Sequence, residues 1–205
     1  MVKKTAEQIA SRREEIVNAC EKLYGTLRFQ EITLKEIGET VPFSRPTIYN
    51  SFQTKEEIFL ALFQREYDRW NEDLASILAD DEKTGKRELA EKIALSLSER
   101  VQLLKLLSMN NYDMEANSRP ELLTDFKRSY GRSLQLMGMI LAKFCPEKSP
   151  SDIQDFTYIF FPFMFGIYPY AAVTEKQRAA MRDAGVDYVY QSVYGITYNC
   201  LTALL

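Results

Sequence analysis

Between residues 33 and 59 the chain carries three helix starts in quick succession, and that crowding limits its fold more than any other feature. Thr33…Glu36 and Thr54…Glu57 both have the spacing of a capping box, in which a hydroxyl and a carboxylate satisfy the free amides of a helix end. Between them, Ser44 stands as the N-cap of one short helix reaching about Phe52. A helix, a tight turn and a second short helix make a helix-turn-helix, whose second helix enters a DNA major groove N-terminus first.

The residues fit that arrangement position by position. Ile37 on the first helix and Ile48 and Phe52 on the second supply an apolar seam, and Val41 and Phe43 in the turn can plug it. Pro42 ends the first helix, because its ring removes an amide and disfavours helical geometry at Val41. Arg45, Thr47, Tyr49, Asn50 and Ser51 then lie outside the seam, available to DNA. Thr47, Tyr49 and the Ser44 end suit phosphate oxygens, whereas Arg45 and Asn50 suit base edges. Thr33 and Lys35 open the first helix on the same side. Lys55 opens the following helix, where it can neutralise a further phosphate.

Ile16-x-x-Ala19-x-x-x-Leu23-Tyr24, Phe29-x-x-Ile32-Thr33-Leu34-Lys35-Glu36-Ile37 and Ser44-x-x-Thr47-Ile48-Tyr49-x-x-Phe52-x-x-Lys55-Glu56 together cover residues 8–60. This pattern resembles the DNA-binding domain of the TetR family of transcriptional regulators. Arg28 stands where that family usually has Gly, and Pro42 and Pro46 stand where it often has Gly. A non-Gly residue in a left-handed conformation costs on the order of 1 kcal/mol, so Arg28 implies a modified loop. Pro46 falls in the first turn of its helix, where a missing amide is tolerated.

Composition agrees with an all-α cytoplasmic protein with room for two cores in 205 residues. Cys20, Cys145 and Cys200 are scattered and lack CxxC spacing, which argues for reduced thiols and against a zinc site. No histidine is present, so His-based general base chemistry and the commonest metal ligand are excluded. With no nucleophile motif, GxGxxG or P-loop either, neither an enzyme nor a bound cofactor or metal is expected. The N-terminus, Met-Val-Lys-Lys-Thr, has no apolar signal core. The net charge of −3 does not favour DNA, and residues 1–55, with nine Lys/Arg and seven acids, reach only +2. Placement must therefore matter, with Lys3, Lys4, Lys35, Arg45 and Lys55 on one face.

Helical patterns fill the remainder. Residues 55–79 show an apolar stripe from Ile58 to Leu78, and residues 80–85 break it. Residues 86–107 read as one or two helices, with a junction at Ser98-Glu99, and residues 110–119 as a polar loop. A capping box at Ser118…Glu121 starts a helix to about Phe144. Ser149…Asp152 caps the next, to about Ala172; Thr174…Gln177 starts a short one, and residues 186–204 form the last. The expected domains are 1–53, for DNA, and 54–205.

Residues 156–173 contain no charge. Their length reaches the lower limit of a membrane span, but Pro162, Gly166 and Pro169 interrupt it and no second span exists. Such a helix is instead buried on nearly all sides, one face on its own core and the other on a second subunit. The family resemblance implies a homodimer joined by the last long helices. Phe156, Phe160, Phe163, Tyr188, Ser192, Gly195 and Asn199 are the candidate contacts. It also implies an effector pocket in the C-terminal domain, for which Trp70, Met109, Tyr112, Phe126, Tyr130, Phe161, Phe165 and Tyr168 are candidates, with Met137 beside them. The expectation is thus a dimeric repressor of a palindromic operator, released by a small apolar or aromatic effector through the helix at 55–79. The alternative is a constitutive DNA-binding dimer with a filled core and no effector.

Overall fold

The computed structural model describes residues 6–80, 84–109 and 111–205, and among them every regular element is helical. Lys3, Lys4, residues 81–83 of the expected break and Asn110 lie outside the described residues. The helices are α1 (Ala6–Tyr24), α2 (Leu34–Glu39), α3 (Arg45–Ser51), α4 (Lys55–Ala79), α5 (Lys86–Ser98), α6 (Val101–Leu107), α7 (Asn111–Ala116), α8 (Pro120–Phe144), α9 (Pro150–Ala171), α10 (Glu175–Asp183) and α11 (Val193–Leu204). One 3-10 turn, Phe29–Glu31, precedes α2.

The chain divides into two compact units, and the division does not follow the expected boundary at 53/54. The first unit comprises Met1–Arg65 and Asn110–Arg128; the second comprises Glu66–Met109 and Ser129–Leu205. Residues 110–128 join the first unit because their partners are there. Phe126 packs on Phe63 at 4.9 Å, Arg119 binds Glu57, and the Asn117 carbonyl accepts from the Thr54 hydroxyl at 3.0 Å.

In the first unit, α1 buries Ile16, Val17, Cys20 and Tyr24, and α4 buries Ile58, Phe59, Leu62 and Phe63. Tyr24 and Phe29 both meet the Phe59 ring edge-on, at 5.1 and 4.7 Å. Ile37, Ile48 and Phe52 form the expected seam, fully buried. Gly38 lets α2 and α3 approach closely, since a Cβ there would stand 3.3 Å from Ile48 Cδ1. The loop at Arg28 is indeed rebuilt: its backbone is extended (φ −83°, ψ 157°), and no non-Gly residue among those described has positive φ. Instead Arg28 donates its amide and guanidinium to the Glu31 carboxylate, at 2.8 and 2.7 Å. That pairing starts the 3-10 turn and holds the Glu31 carboxyl down at about 2.

In the second unit, α5 buries Leu89, Ala90, Ile93, Ala94 and Leu97, and α6 buries Leu103, Leu104, Leu106 and Leu107. α11 packs chiefly on α5, and both α6 and α11 pack on α9. α9 starts with a complete Ser149–Asp152 capping box and runs through Pro162 and Pro169. Each proline removes one amide, leaving the Tyr158 and Phe165 carbonyls without a helical donor. Among the described residues, no single helix is long and apolar enough to cross a membrane.

Three local expectations fail. Residues 111–116 form α7 where a polar loop was expected. Ser118 makes no capping box, because its hydroxyl donates to the Met114 carbonyl at 2.6 Å. The last helix begins at Val193, seven residues late: Gly185 (φ +68°) closes α10 with a left-handed cap, and Ser192 is the N-cap that starts α11.

Candidate nucleic-acid interface and ligand core

Of the predicted DNA-contacting residues, Arg45, Thr47, Tyr49 and Asn50 lie on α3. Thr33 caps α2, its hydroxyl accepting from the Lys35 and Glu36 amides, and Glu36 returns a bond to the Thr33 amide at 2.9 Å. Bonds from the Thr33 hydroxyl and amide hold the Glu36 carboxyl below the usual range. Ser44 is the N-cap of α3 by position, with its hydroxyl 3.0 Å from that of Thr47 rather than on an amide. Pro46 lies in the first turn, as expected. Arg45, Tyr49 and Asn50 are exposed, and Tyr49 keeps 53% of its surface open. Lys35, Arg45 and Tyr49 come together at a hollow of about 100 Å³ floored by Leu34 and Ile48.

Two residues lie elsewhere. The Lys55 ammonium donates to the Phe29 and Ile32 carbonyls, at 3.0 and 3.1 Å, and sits 4.1 Å from the Phe29 ring centroid. It ties the 3-10 turn to α4 instead of facing phosphate, because the Phe29 and Ile32 carbonyls of that turn are both within its reach. Ser51, expected to face DNA, is buried at the end of α3.

That helix end holds residues that local sequence reasoning passed over. The Ser51 carbonyl accepts from Arg13 Nη1 at 3.2 Å and from Arg119 Nη2 at 3.1 Å. Arg119 also grips Glu57 with Nε and Nη2, at 2.7 and 2.9 Å, while the Gln53 amide reaches Glu57 at 2.7 Å. Glu57 is only 1% exposed. Burial raises its carboxyl, but the bonds from Arg119 and the Gln53 and Arg119 amides outweigh burial and hold it below the usual range. Glu57 was legible as a capping residue, and its own capping bond goes to Gln53 rather than Thr54. Nothing local signals a partner 62 residues away.

The predicted effector residues separate. Trp70, Tyr130 and Phe161 meet in the second unit, with Trp70–Phe161 and Tyr130–Phe161 centroids both 5.9 Å apart and Tyr67 on Tyr130 at 5.6 Å. Met137 is buried in this unit, and Met109 and Tyr168 are half-buried in it. Phe126 and Tyr112 belong to the first unit, and Tyr112 is 86% exposed on α7. Phe165 points outward on α9. The second core also carries polar groups: Trp70 Nε1 donates to Ser96 Oγ at 3.1 Å, and Asn71 Nδ2 to the Ser129 carbonyl at 3.0 Å. Asn71 Oδ1 and Thr197 Oγ1 are buried without a hydrogen-bond partner among the described residues. An unmet buried polar atom costs roughly 1–3 kcal/mol, so both sites favour an incoming donor or acceptor. Burial, with Tyr130 beside it, raises the Tyr67 hydroxyl and keeps it protonated.

The predicted interface residues separate as well. Phe156 and Phe160 are buried within the second unit, turned to its core and unavailable to a second copy. Phe163, Tyr188 and Asn199 instead line an open groove of about 730 Å³, with Pro162, Gly166 and Tyr170 of α9 and Ile196 of α11. Ser192 is exposed and caps α11, and Gly195 is half-buried. Tyr158, Ile159, Phe165 and Tyr170 are exposed on α9. The uncharged stretch of α9 thus buries one face only.

An all-helical chain that displays a short, polar, exposed helix from a helix-turn-helix belongs to the class of DNA-binding transcriptional regulators. The family described as tetracyclin repressor-like, C-terminal domain, matches residues 64–190, well over half the chain. The chain belongs to the TetR family. That match rests on residues other than the helix-turn-helix motif, so the two halves point to the family independently. No curated protein matches the chain. Among solved structures, the fatty acid degradation regulator FadR from Bacillus halodurans is 15% identical, with 99% of this chain and 96% of that one covered and a TM-score of 0.61. FadR from Bacillus subtilis, in complex with stearoyl-CoA, is 17% identical over 93% and 96%, with a TM-score of 0.59. Thermus thermophilus FadR, in complex with lauroyl-CoA, is 19% identical over 94% and 92%, with a TM-score of 0.59. At these identities the likeness is one of fold.

Proposed function

We propose that this chain is a homodimeric repressor that binds a palindromic operator through α3 and leaves it when a small apolar effector binds. The carrying observation is the exposure of Arg45, Tyr49 and Asn50 on one short helix, with Arg45 and Tyr49 gathered with Lys35 around a hollow, in a chain whose net charge is −3. Placement of a few groups, not overall charge, supports DNA binding here. Thr33, Ser44 and Thr47 border this surface. Arg45 and Asn50 read base edges; Lys35, Thr47 and Tyr49 hold phosphates. The chain acts as a regulator and not as an enzyme, in the cytoplasm.

The second copy covers the groove at Phe163, Tyr188 and Asn199, with Ser192 and Gly195 beside it. The exposed aromatics of the uncharged stretch of α9 support this, since such a patch is unfavourable in water. The effector occupies the core around Trp70, Tyr130 and Phe161, where Asn71 Oδ1 lacks a partner. Two structures of the same fold hold long-chain acyl-CoA, which supports an effector with an apolar chain. α4 contributes residues to both units and carries the signal. Its bias equals the difference in effector affinity between the two states. A specific observation favours a second reading: the aromatic rings of this core already touch one another, as in a constitutive binder with a filled core.

Selection from a random DNA pool at fixed salt tests the DNA reading. One enriched palindrome, lost in Arg45→Ala/Tyr49→Ala with the fold intact, is the expected result; no enrichment by a folded dimer overturns it. Thermal shift against lauroyl-CoA, stearoyl-CoA and simple aromatics separates the two effector readings. A ligand at 100 times its Kd adds about 2.7 kcal/mol. A rise that Trp70→Ala abolishes, together with ligand-driven loss of operator binding, supports the inducible repressor. An unmoved midpoint supports the filled core.

A further inference from the structure

We propose that Arg119, acting with Arg13, is a positioning residue for operator binding: the two guanidinium groups hold the C-terminal carbonyl of α3 and fix the recognition helix against rotation. The inference rests on the DNA reading above. α3 has seven residues. Its apolar contacts run through Ile48 and Phe52. Apolar contact is non-directional, so such a seam sets distance better than it sets angle. A helix this short is about 10 Å long, and a tilt of ten degrees about the seam at its middle moves both ends by about 1 Å, so that holding the C-terminal end also holds the N-terminal one. A base-edge hydrogen bond weakens steeply with a displacement of that size.

The far end of α3 is where direction is imposed. Ser51 O lies past the last intrahelical amide and would be an unmet carbonyl in a buried place. Two charged donors from distant parts of the chain meet it, Arg13 Nη1 of α1 at 3.2 Å and Arg119 Nη2 at 3.1 Å. Positive charge at a helix C-terminus is also favoured by the helix dipole. Each guanidinium is itself held. Arg13 lies 4.5 Å from the Phe52 ring centroid. Arg119 is clamped by a bidentate bond to buried Glu57 at 2.7 and 2.9 Å, and its own amide reaches the same carboxylate at 3.2 Å. Glu57 is fixed in turn by the Gln53 amide. Adjacent to this, Thr54 Oγ1 donates to the Asn117 carbonyl. A planar fork suits the position, because one guanidinium must face a carboxylate and a carbonyl together; a lysine ammonium cannot hold both in that plane.

The test uses the full-length chain and the operator selected as above. Arg119→Lys keeps the charge and one contact to Glu57 while losing the fork. Folding is checked by circular dichroism and by the thermal midpoint. The expected result is a folded dimer whose operator affinity falls about tenfold, while its affinity for random DNA and the salt slope of binding stay those of the parent. A purely structural role would change both affinities together, through the folded fraction, and that result overturns the proposal. Arg13→Lys, acting on the same carbonyl from α1, gives the same selective loss. Unchanged operator affinity in a folded Arg119→Lys chain overturns the proposal; should that variant unfold, unchanged operator affinity in folded Arg13→Lys does so. If the parent chain selects no sequence, the operator reading fails first, and that failure is visible before any variant is measured.

Discussion

Glu57 is the residue on which the first unit depends most. A carboxylate this buried is tolerable only because Arg119 and two backbone amides face it. Removing one partner of a buried ion pair costs roughly 3–5 kcal/mol, so Glu57→Ala should lower the unfolding free energy measured in denaturant by the lower end of that range, Arg119 being partly open to water. The pH dependence has a definite sign. With its pKa below the unfolded value of about 4.3, Glu57 contributes stability above that pH and loses it as pH falls through the folded value. Glu57→Gln should therefore be less stable at pH 7 and show a shallower acid limb in unfolding experiments. Glu31 offers an independent check: carboxyl titration followed by NMR should place it near 2, and Arg28→Ala, which removes the guanidinium but keeps the amide bond, should raise it part of the way to the ordinary range. At this scale the sequence was most readable where partners are neighbours. Thr33 with Glu36, and Ser149 with Asp152, lie within one helical turn. The functions of Lys55, Ser51 and Arg119 were not readable, because their partners lie more than twenty residues away.

Among the elements, α9 carries the sharpest contrast. The absence of charge from residues 156–173 implied one face on the core and the other on a second subunit, but periodicity alone cannot say which face turns inward. Phe156 and Phe160 fell on the core side, and Phe163 on the groove side. The two kinds of position give opposite results on substitution. Phe160→Ala should cost about 3–5 kcal/mol in unfolding experiments. Phe163→Asp should leave monomer folding nearly intact and convert the dimer to monomer in sedimentation at micromolar concentration. α11 illustrates a different limit. Its late start depends on a left-handed cap at Gly185 and an N-cap at Ser192, either of which the apolar pattern over residues 186–204 conceals.

For the whole molecule, the all-α class and the helix-turn-helix were legible because each rests on local periodicity and capping. The partition was not, since it depends on residues 110–128 returning to pack with 1–65. A fragment of residues 1–65 accordingly lacks Phe126 and Arg119, leaving Phe63 uncovered and Glu57 without its cation. Circular dichroism and NMR dispersion should show that fragment poorly folded, while the full chain unfolds cooperatively. In a dimer, two recognition helices reading one face of DNA require half-sites one turn apart or a multiple, about 34–36 Å per turn. Inserting five base pairs between the half-sites of the selected operator should abolish tight binding, and inserting ten should not restore it, because the half-sites then face the same side but stand about 34 Å further apart than the dimer reaches.

The interrupted first unit also sets a timetable. A ribosome finishes residue 65 well before it reaches residue 128, and at 5–20 residues per second the interval is roughly 3–13 s. For most of that interval, until residue 119 is made, the nascent helix-turn-helix exists without the cation that neutralises Glu57. The reading head of this protein is thus among the first parts to be synthesised and among the later ones to be completed.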